Sequence, residues 1–213
     1  MKFLVLTDLH QKKSCIDWIN KVIADYKPEF TIFLGDVTDF GTGEEAAEII
    51  NMIDSDVYAI PGNCDPLDLP DKIMSAAHDL HGKSAEIDGY HFAGLGGSNI
   101  TIFGTPFELD EETIYNKLKP ISKKGMILVT HAPAFGTFDH IPSGASVGSP
   151  AIKKIADEYK PILALSGHIH EDRGAKMING TLFCNPGPAK EGYCGIVTIE
   201  NGKPDVKLIG PLD

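Results

Sequence analysis

The chain has 213 residues, 42% hydrophobic and 23% charged, enough for one large domain (1–213) with a buried core. Acidic residues outnumber basic ones 30 to 19 and Arg173 is the sole arginine, so strong binding to double-stranded nucleic acid is not expected. No apolar run approaches the roughly 20 residues of a membrane span, and no membrane partner is expected.

The apolar run of KFLVLT (2–7) stops at Thr7-Asp8 without a small-residue cleavage site. It reads as a first strand, and a cytoplasmic location is expected. Residues 14–26 carry Cys15, Ile16, Ile19, Val22, Ile23 and Tyr26 at helical spacing. FTIFLG (30–35) is a second strand. Thr42 with Glu45 forms a capping box before Ala46, Ile49, Ile50 and Ile53 on one helical face. DVYAIP (56–61) is a third strand, 67–77 a weaker helix, 83–107 short strands with Gly turns, and 110–118 a further helix. GMILVT (125–130) is a strand, Ser149-Pro150 starts a helix to Tyr159, and PILALSG (161–167) is the next strand. The remainder reads as antiparallel β, with Asn179-Gly180 and Asn201-Gly202 as type I′ hairpin turns. A mixed α/β fold with more than one sheet follows. The segments 24–36 and 156–168 echo each other as helix end, Lys-Pro, apolar strand, Gly and polar residue, which we read as convergent use of one connection.

Cys15, Cys64, Cys184 and Cys194 include no C-x-x-C pair, so neither a zinc ribbon nor a thioredoxin-type centre is indicated. Cys184 and Cys194 flank a turn and are expected as reduced thiols.

Five apolar strands end in metal-ligating residues: TDLH (Asp8, His10), GDVTD (Asp36, Asp39), GNCD (Asn63, Asp65), THAP (His131) and GHIH (His168, His170). Open α/β sheets gather ligands at the carboxyl ends of their strands, so these tips can converge. In extended chain, residues i and i+2 share a face, which suits D-x-H and H-x-H to one ion or to neighbouring ions. Carboxylate, imidazole and one amide oxygen, without a thiolate pair, suit Mn, Fe, Zn, Co or Ni. Two ions about 3.5–4 Å apart would hold two phosphate oxygens and a bridging hydroxide for in-line displacement. Asp36 is the natural bridge. The ions would also supply positive charge for a phosphate in an acidic protein.

The ordered set D-x-H, G-D-x-x-D, G-N-x-D, His-Ala-Pro and G-H-x-H resembles the calcineurin-like metallophosphoesterase superfamily, in particular small bacterial or archaeal phosphodiesterase-like members with G-N-C-D. The resemblance implies a four-layer α/β/β/α sandwich of two mixed sheets flanked by helices. It implies one metal on Asp8, His10, Asp36 and His170, and a second on Asp36, Asn63, His131 and His168, manganese being favoured. Asp39 and Asp65 would orient the ligands from behind, and NPGP (185–188) would be a turn beside the site.

Many members read G-N-H-[DE], and that His is thought to protonate the leaving oxygen. Here the position is Cys64, a poor acid for an alkoxide. His140, in a Gly/Ser-rich segment (135–149), is either a replacement acid or an exposed loop residue. Arg173 either contacts a substrate phosphate or faces solvent. His78, His81 and His91 read as structural. The expectation is a dinuclear metal-dependent phosphodiesterase acting on a small phosphate ester, nucleotides included, with the metal-bridging hydroxide as nucleophile. A metal-binding interaction scaffold of the same fold, a phosphomonoesterase and a nuclease are the alternatives. Substrate, native metal and oligomeric state are left open.

Overall fold

Apolar residues at every position of a strand need cover on both faces, and the first strand, β1 (Lys2–Leu6), meets that need in a computed structural model describing residues 1–211. Phe3 and Val5 point to one side and Leu4 and Leu6 to the other, all fully buried. The first set meets the opposite sheet and the second set meets helices.

One six-stranded sheet has the order β14 (Lys203–Ile209), β13 (Cys194–Glu200), β1, β2 (Phe30–Phe33), β3 (Val57–Ala59) and β4 (His78–Asp79). The other has β11 (Gly174–Ile178), β12 (Thr181–Asn185), β10 (Leu163–Leu165), β9 (Ile127–Thr130), β6 (Tyr90–Leu95) and β5 (Lys83–Ile87). Phe3, Ile32 and Leu34 of the first sheet pack against Phe92, Val129 and Leu165 of the second, closing the central core. Phe3 stacks on Phe30 at 5.0 Å, with Phe92 edge-on to both. The helices α1 (Ile16–Tyr26), α2 (Gly43–Ile50) and α3 (Leu69–Lys72) cover the outer face of the first sheet. The helices α4 (Glu111–Leu118) and α5 (Pro150–Tyr159) cover that of the second. Four layers, α/β/β/α, result. Among the described residues no helix is long and apolar enough to cross a membrane.

Local signals account for the element ends. Thr42 and Glu45 form the reciprocal capping box of α2, and Ser149 caps α5 by accepting from the Ile152 amide at 3.2 Å. Asn179-Gly180 and Asn201-Gly202 all have positive φ, as type I′ turns require. Two sequence readings need correction. The last third is not wholly antiparallel, because β12 pairs in parallel with β10. The strands within 83–107 end at Asn99, the two-residue β7 (Ser98–Asn99) pairing with β8 (Glu108–Leu109), and 100–107 is irregular. Cys184 and Cys194 lie in different sheets as free buried thiols, in keeping with the expectation of reduced cysteines.

Candidate metal centre

The strands β1, β2 and β3 run parallel in one sheet, and β9 and β10 run parallel in the other. Their carboxyl ends open at the same edge of the sandwich, so both sheets contribute to one cleft. Four ligand candidates, Asp8, His10, Asp36 and His168, have φ between 46° and 67°. Non-glycine residues pay for this left-handed backbone, and such strain persists only where the surroundings impose it. The surroundings here are close-fitting. A Cβ on Gly62 would fall on Asp36 Oδ1, and a Cβ on Gly167 would fall on Thr7 Oγ1.

The side chains converge as follows. Asp8, 1% exposed, accepts from Thr7 Oγ1 at 2.6 Å and from the His168 amide at 3.1 Å, and its Oδ1 lies 3.2 Å from His170 Nε2. Asp36 accepts from the Cys64 amide at 2.8 Å through Oδ1. Its Oδ2 stands 3.5 Å from His10 Nε2 and 3.6 Å from His131 Nε2, nearly equidistant and too far for good hydrogen bonds. His10 Nε2 is buried with no hydrogen-bond partner. The ring of His168 packs edge-on to that of His131 at 5.2 Å.

Asn63 and His131 carry the clearest chemical signal. His131 Nδ1 lies 2.8 Å from the Leu34 carbonyl and so donates to it, which leaves Nε2 as a lone-pair donor in the neutral ring. Asn63 Nδ2 donates to Thr105 Oγ1 at 3.1 Å, and Thr105 Oγ1 in turn donates to Glu108 at 2.7 Å. This chain turns Asn63 Oδ1 towards His131 Nε2 at 2.9 Å. A proton on Nε2 or a cation beside the pair would bridge the two atoms, so the site presents Asn63 Oδ1 and the imidazole nitrogen together. With the orphaned His10 nitrogen and the Asp36 oxygen, the donor set therefore fits divalent cations.

Burial shapes the charges. Burial would raise the Asp8 carboxyl, but contacts with His10 and His170 outweigh it and hold it well below the usual range. Asp36 is pushed well above that range by burial and by the Asp8 and Asp65 carboxylates. His168 is lowered to about 3 by burial and by His131, so its ring is neutral and available as a ligand at neutral pH. Burial and the Asp36 carboxylate push the Cys64 thiol up, which disfavours a thiolate nucleophile. Its Sγ also shares a ligand-sized cluster with His10 and Asp36.

The supporting residues depart in part from their expected roles. Asp65 is fully buried and works through backbone amides rather than through a ligand side chain. It accepts from the Thr38 amide and hydroxyl, both at 2.8 Å, and from the Gly62 amide at 2.8 Å, tying the Asp36 loop to the Asn63 loop. Asp39 stands 3.8 Å from His10 Nδ1, short of a hydrogen bond, and is exposed. His140 is engaged by Asp172 at 2.9 Å and faces Ser146, so its bonds stay outside the ligand cluster. Arg173 donates to the carbonyls of Pro186 and Ile209 at 2.8 and 3.0 Å and lies over Tyr193, a structural arrangement rather than one aimed at a phosphate. In the NPGP turn, Asn185 donates to the Ile169 carbonyl at 2.7 Å, and the following Ala189 amide donates to Thr7. The turn thus braces two ligand loops. Sequence reading missed Thr105 and Glu108, whose loop carries no motif.

A family model described as calcineurin-like phosphoesterase matches residues 1–172. The chain belongs to that family. The uncharacterized protein MJ1162 of Methanocaldococcus jannaschii is 35% identical over 199 residues, covering 88% of each chain. The probable glycerophosphodiester phosphodiesterase GpdQ of Arcobacter nitrofigilis is 26% identical over 193 residues, 76% of this chain and 64% of its own. Among solved structures, TT1561 of Thermus thermophilus has a TM-score of 0.73 at 15% identity over 97% of each chain, a likeness of fold.

Proposed function

We propose that this chain is a dinuclear metal-dependent phosphoesterase that favours phosphodiesters. The observation that carries the reading is the convergence of Asn63 Oδ1, His131 Nε2 and the partnerless His10 Nε2 around an Asp36 oxygen that faces imidazoles from both sides. Asp8, His10, Asp36 and His170 would hold one ion, and Asp36, Asn63, His131 and His168 the other, with Asp36 shared. When bound, two divalent ions, manganese first among the candidates, would activate water for attack on phosphorus and stabilise charge on the phosphoryl oxygens.

The chain's own residues set the rest. His168, held neutral, offers its lone pair without first losing a proton, while a cation would offset the burial and the neighbouring carboxylates that disfavour the charged form of Asp36. The Leu34 carbonyl fixes the His131 ring, and Thr105 with Glu108 fixes the Asn63 amide. At the place where many relatives carry a histidine acid stands Cys64, and His140 is occupied elsewhere. A positioned acid contributes about 10²–10⁴ in rate for poor leaving groups. Esters with good leaving groups are therefore favoured, and alkyl phosphomonoesters disfavoured. The sequence relationship to a probable glycerophosphodiester phosphodiesterase supports the diester reading.

The test is hydrolysis of bis-p-nitrophenyl phosphate beside p-nitrophenyl phosphate by metal-stripped protein, with Mn, Ni, Co, Zn or Mg returned singly. Metal-dependent diester cleavage that Asp36→Asn abolishes is the expected result. Binding of two ions without cleavage of either ester would instead favour an interaction scaffold.

A further inference from the structure

Beside the cleft over Asp36 and Asn63, of about 290 Å³, lies a larger one of about 680 Å³. His168, His170 and Phe103 line both, so the larger cleft begins at the candidate ligands themselves. Its walls are Asn99 with the irregular segment 100–103 and the loop bearing Ile141, Pro142 and Val147. Ile100, Ile102 and Phe103 are 68%, 95% and 80% exposed, and Phe40 borders the smaller cleft at 63%. Single exposed apolar residues need no explanation, but three within four positions at the mouth of a site do.

Apart from the candidate ligands His168 and His170, the free polar side-chain groups of the lining are the Glu171 carboxylate and the Asn99 oxygen, both acceptors. No lysine or arginine lines it, and its carboxylate, Glu171, would repel a second phosphate. Asn99 Nδ2 is already bonded to the Val147 carbonyl at 3.1 Å. The Thr101 hydroxyl donates to Glu108 at 2.6 Å and accepts from the Phe103 amide at 3.0 Å. A polyphosphate there would give up water without a donor or cation in return, and a sugar would find acceptors only at the rim residues Glu171 and Asn99. Glu108 also binds the amides of Thr101 and Thr105, at 3.1 and 2.9 Å, so the apolar wall is held in place before any ligand arrives.

We propose that this cleft is the subsite for one ester group of the substrate and that it takes an uncharged hydrocarbon group, which makes the substrate a phosphodiester of an apolar alcohol. The assignment of the phosphoryl end rests on the phosphoesterase reading above; the hydrocarbon site does not depend on catalysis. It narrows the substrate class by making a nucleotide, with its sugar and charge, a poor occupant.

Two measurements test it. In the first, metal-free protein labelled at isoleucine methyls is titrated with hexyl methyl phosphate, phenyl methyl phosphate or glyceryl methyl phosphate. Saturable shifts at Ile100, Ile102 and Ile141 are expected with the hexyl or phenyl ester and not with the glyceryl ester. The ranking of those two tells an alkyl from an aryl occupant. In the second, metal-reconstituted protein hydrolyses p-nitrophenyl diesters whose other group is methyl, butyl or hexyl. Because the leaving group is constant, kcat/KM reports the subsite, and it should rise about 4-fold per methylene until the cleft is filled. Ile102→Asp should lower the hexyl-to-methyl ratio. Absent shifts, equal shifts with the glyceryl ester, or a flat chain-length series on an active enzyme would overturn the proposal. Hydrocarbon-specific shifts without metal-dependent cleavage of any ester would keep the hydrocarbon site and remove the phosphoesterase reading instead.

Discussion

Residues 24–36 and 156–168 build opposite walls of the cleft by the same device. In each, a helix ends at tyrosine (Tyr26, Tyr159), the next residue is a lysine in the left-handed region (Lys27 at φ 50°, Lys160 at φ 47°), and a proline prevents continuation. An apolar strand follows, then glycine, then a ligand candidate that again has positive φ: Asp36 at 51° and His168 at 67°. One copy belongs to the first sheet and the other to the second. Their difference lies in the residue delivered. Burial opposes charge at both, so the acid is pushed up and the base down, to about 3 for His168. Both tips are thereby prepared for a cation and costly to charge without one.

Breaking either tip should have the largest effect. Asp36→Asn and His168→Asn should each lower metal-dependent diester kcat/KM by more than the roughly 10–100-fold typical of residues one step behind a ligand. Asp36→Asn should be the worse, since its Oδ2 faces both His10 and His131. Equal, small losses would contradict the shared-ligand role. Next come the glycines that let the tips approach. Gly62→Ala and Gly167→Ala drive a methyl onto Asp36 and Thr7, respectively. Each should destabilise by about 3 kcal/mol, at the upper end of overpacking costs, as read by urea denaturation. Behind Asn63, Glu108→Gln should weaken metal affinity or kcat about 10–100-fold by loosening the Thr105 contact, measured by metal titration.

The metal-free protein offers a finer contrast in pH. Asp36, raised in the fold, prefers its proton there, so its stabilising contribution is lost as pH rises above the ordinary carboxylate range. Asp36→Asn should thus raise Tm at pH 7, by about 2–4 °C per kcal/mol relieved, and lose that advantage in acid. His168 behaves oppositely. With a folded value of about 3 against an ordinary 6.5, it costs nothing above pH 6.5 and destabilises progressively as pH falls towards 3. His168→Gln should therefore be near neutral at pH 7 and stabilising at pH 4. His81, lowered to about 4 by burial, titrates similarly, so the reading is the difference between variant and parent. The smallest expected effect is at the two helix stops. Lys27→Gly and Lys160→Gly remove a left-handed side chain and should each stabilise by about 0.5–1 kcal/mol, by similar amounts.

Much of this was legible beforehand because it is local. The capping box at Thr42, the cap at Ser149 and both Asn-Gly turns depend on neighbours within four residues. The seven ligand candidates were legible for a related reason: each ends a strand, and parallel strands carry their ends to one edge. The supporting contacts were not. Asp65 was read as orienting the ligands from behind, but that it would bind the Thr38 and Gly62 amides was not legible, and the positions of His140 and Arg173 follow from Asp172 and from the Pro186 and Ile209 carbonyls. Long-range partners of that kind leave no periodicity in a single chain.

Taken by itself, the order of residues determined that apolar strands would end in carboxylate, amide and imidazole, and that burying both faces of those strands would require covering layers. Tertiary structure alone decided that Thr105 and Glu108 aim the Asn63 oxygen, and that Ile100, Ile102 and Phe103 stand at the mouth of the cleft instead of in a core. The physical reason is separation. Hydrogen bonds and periodic burial act over a few residues of chain, whereas a site wall is made by segments that meet only after two sheets have packed together.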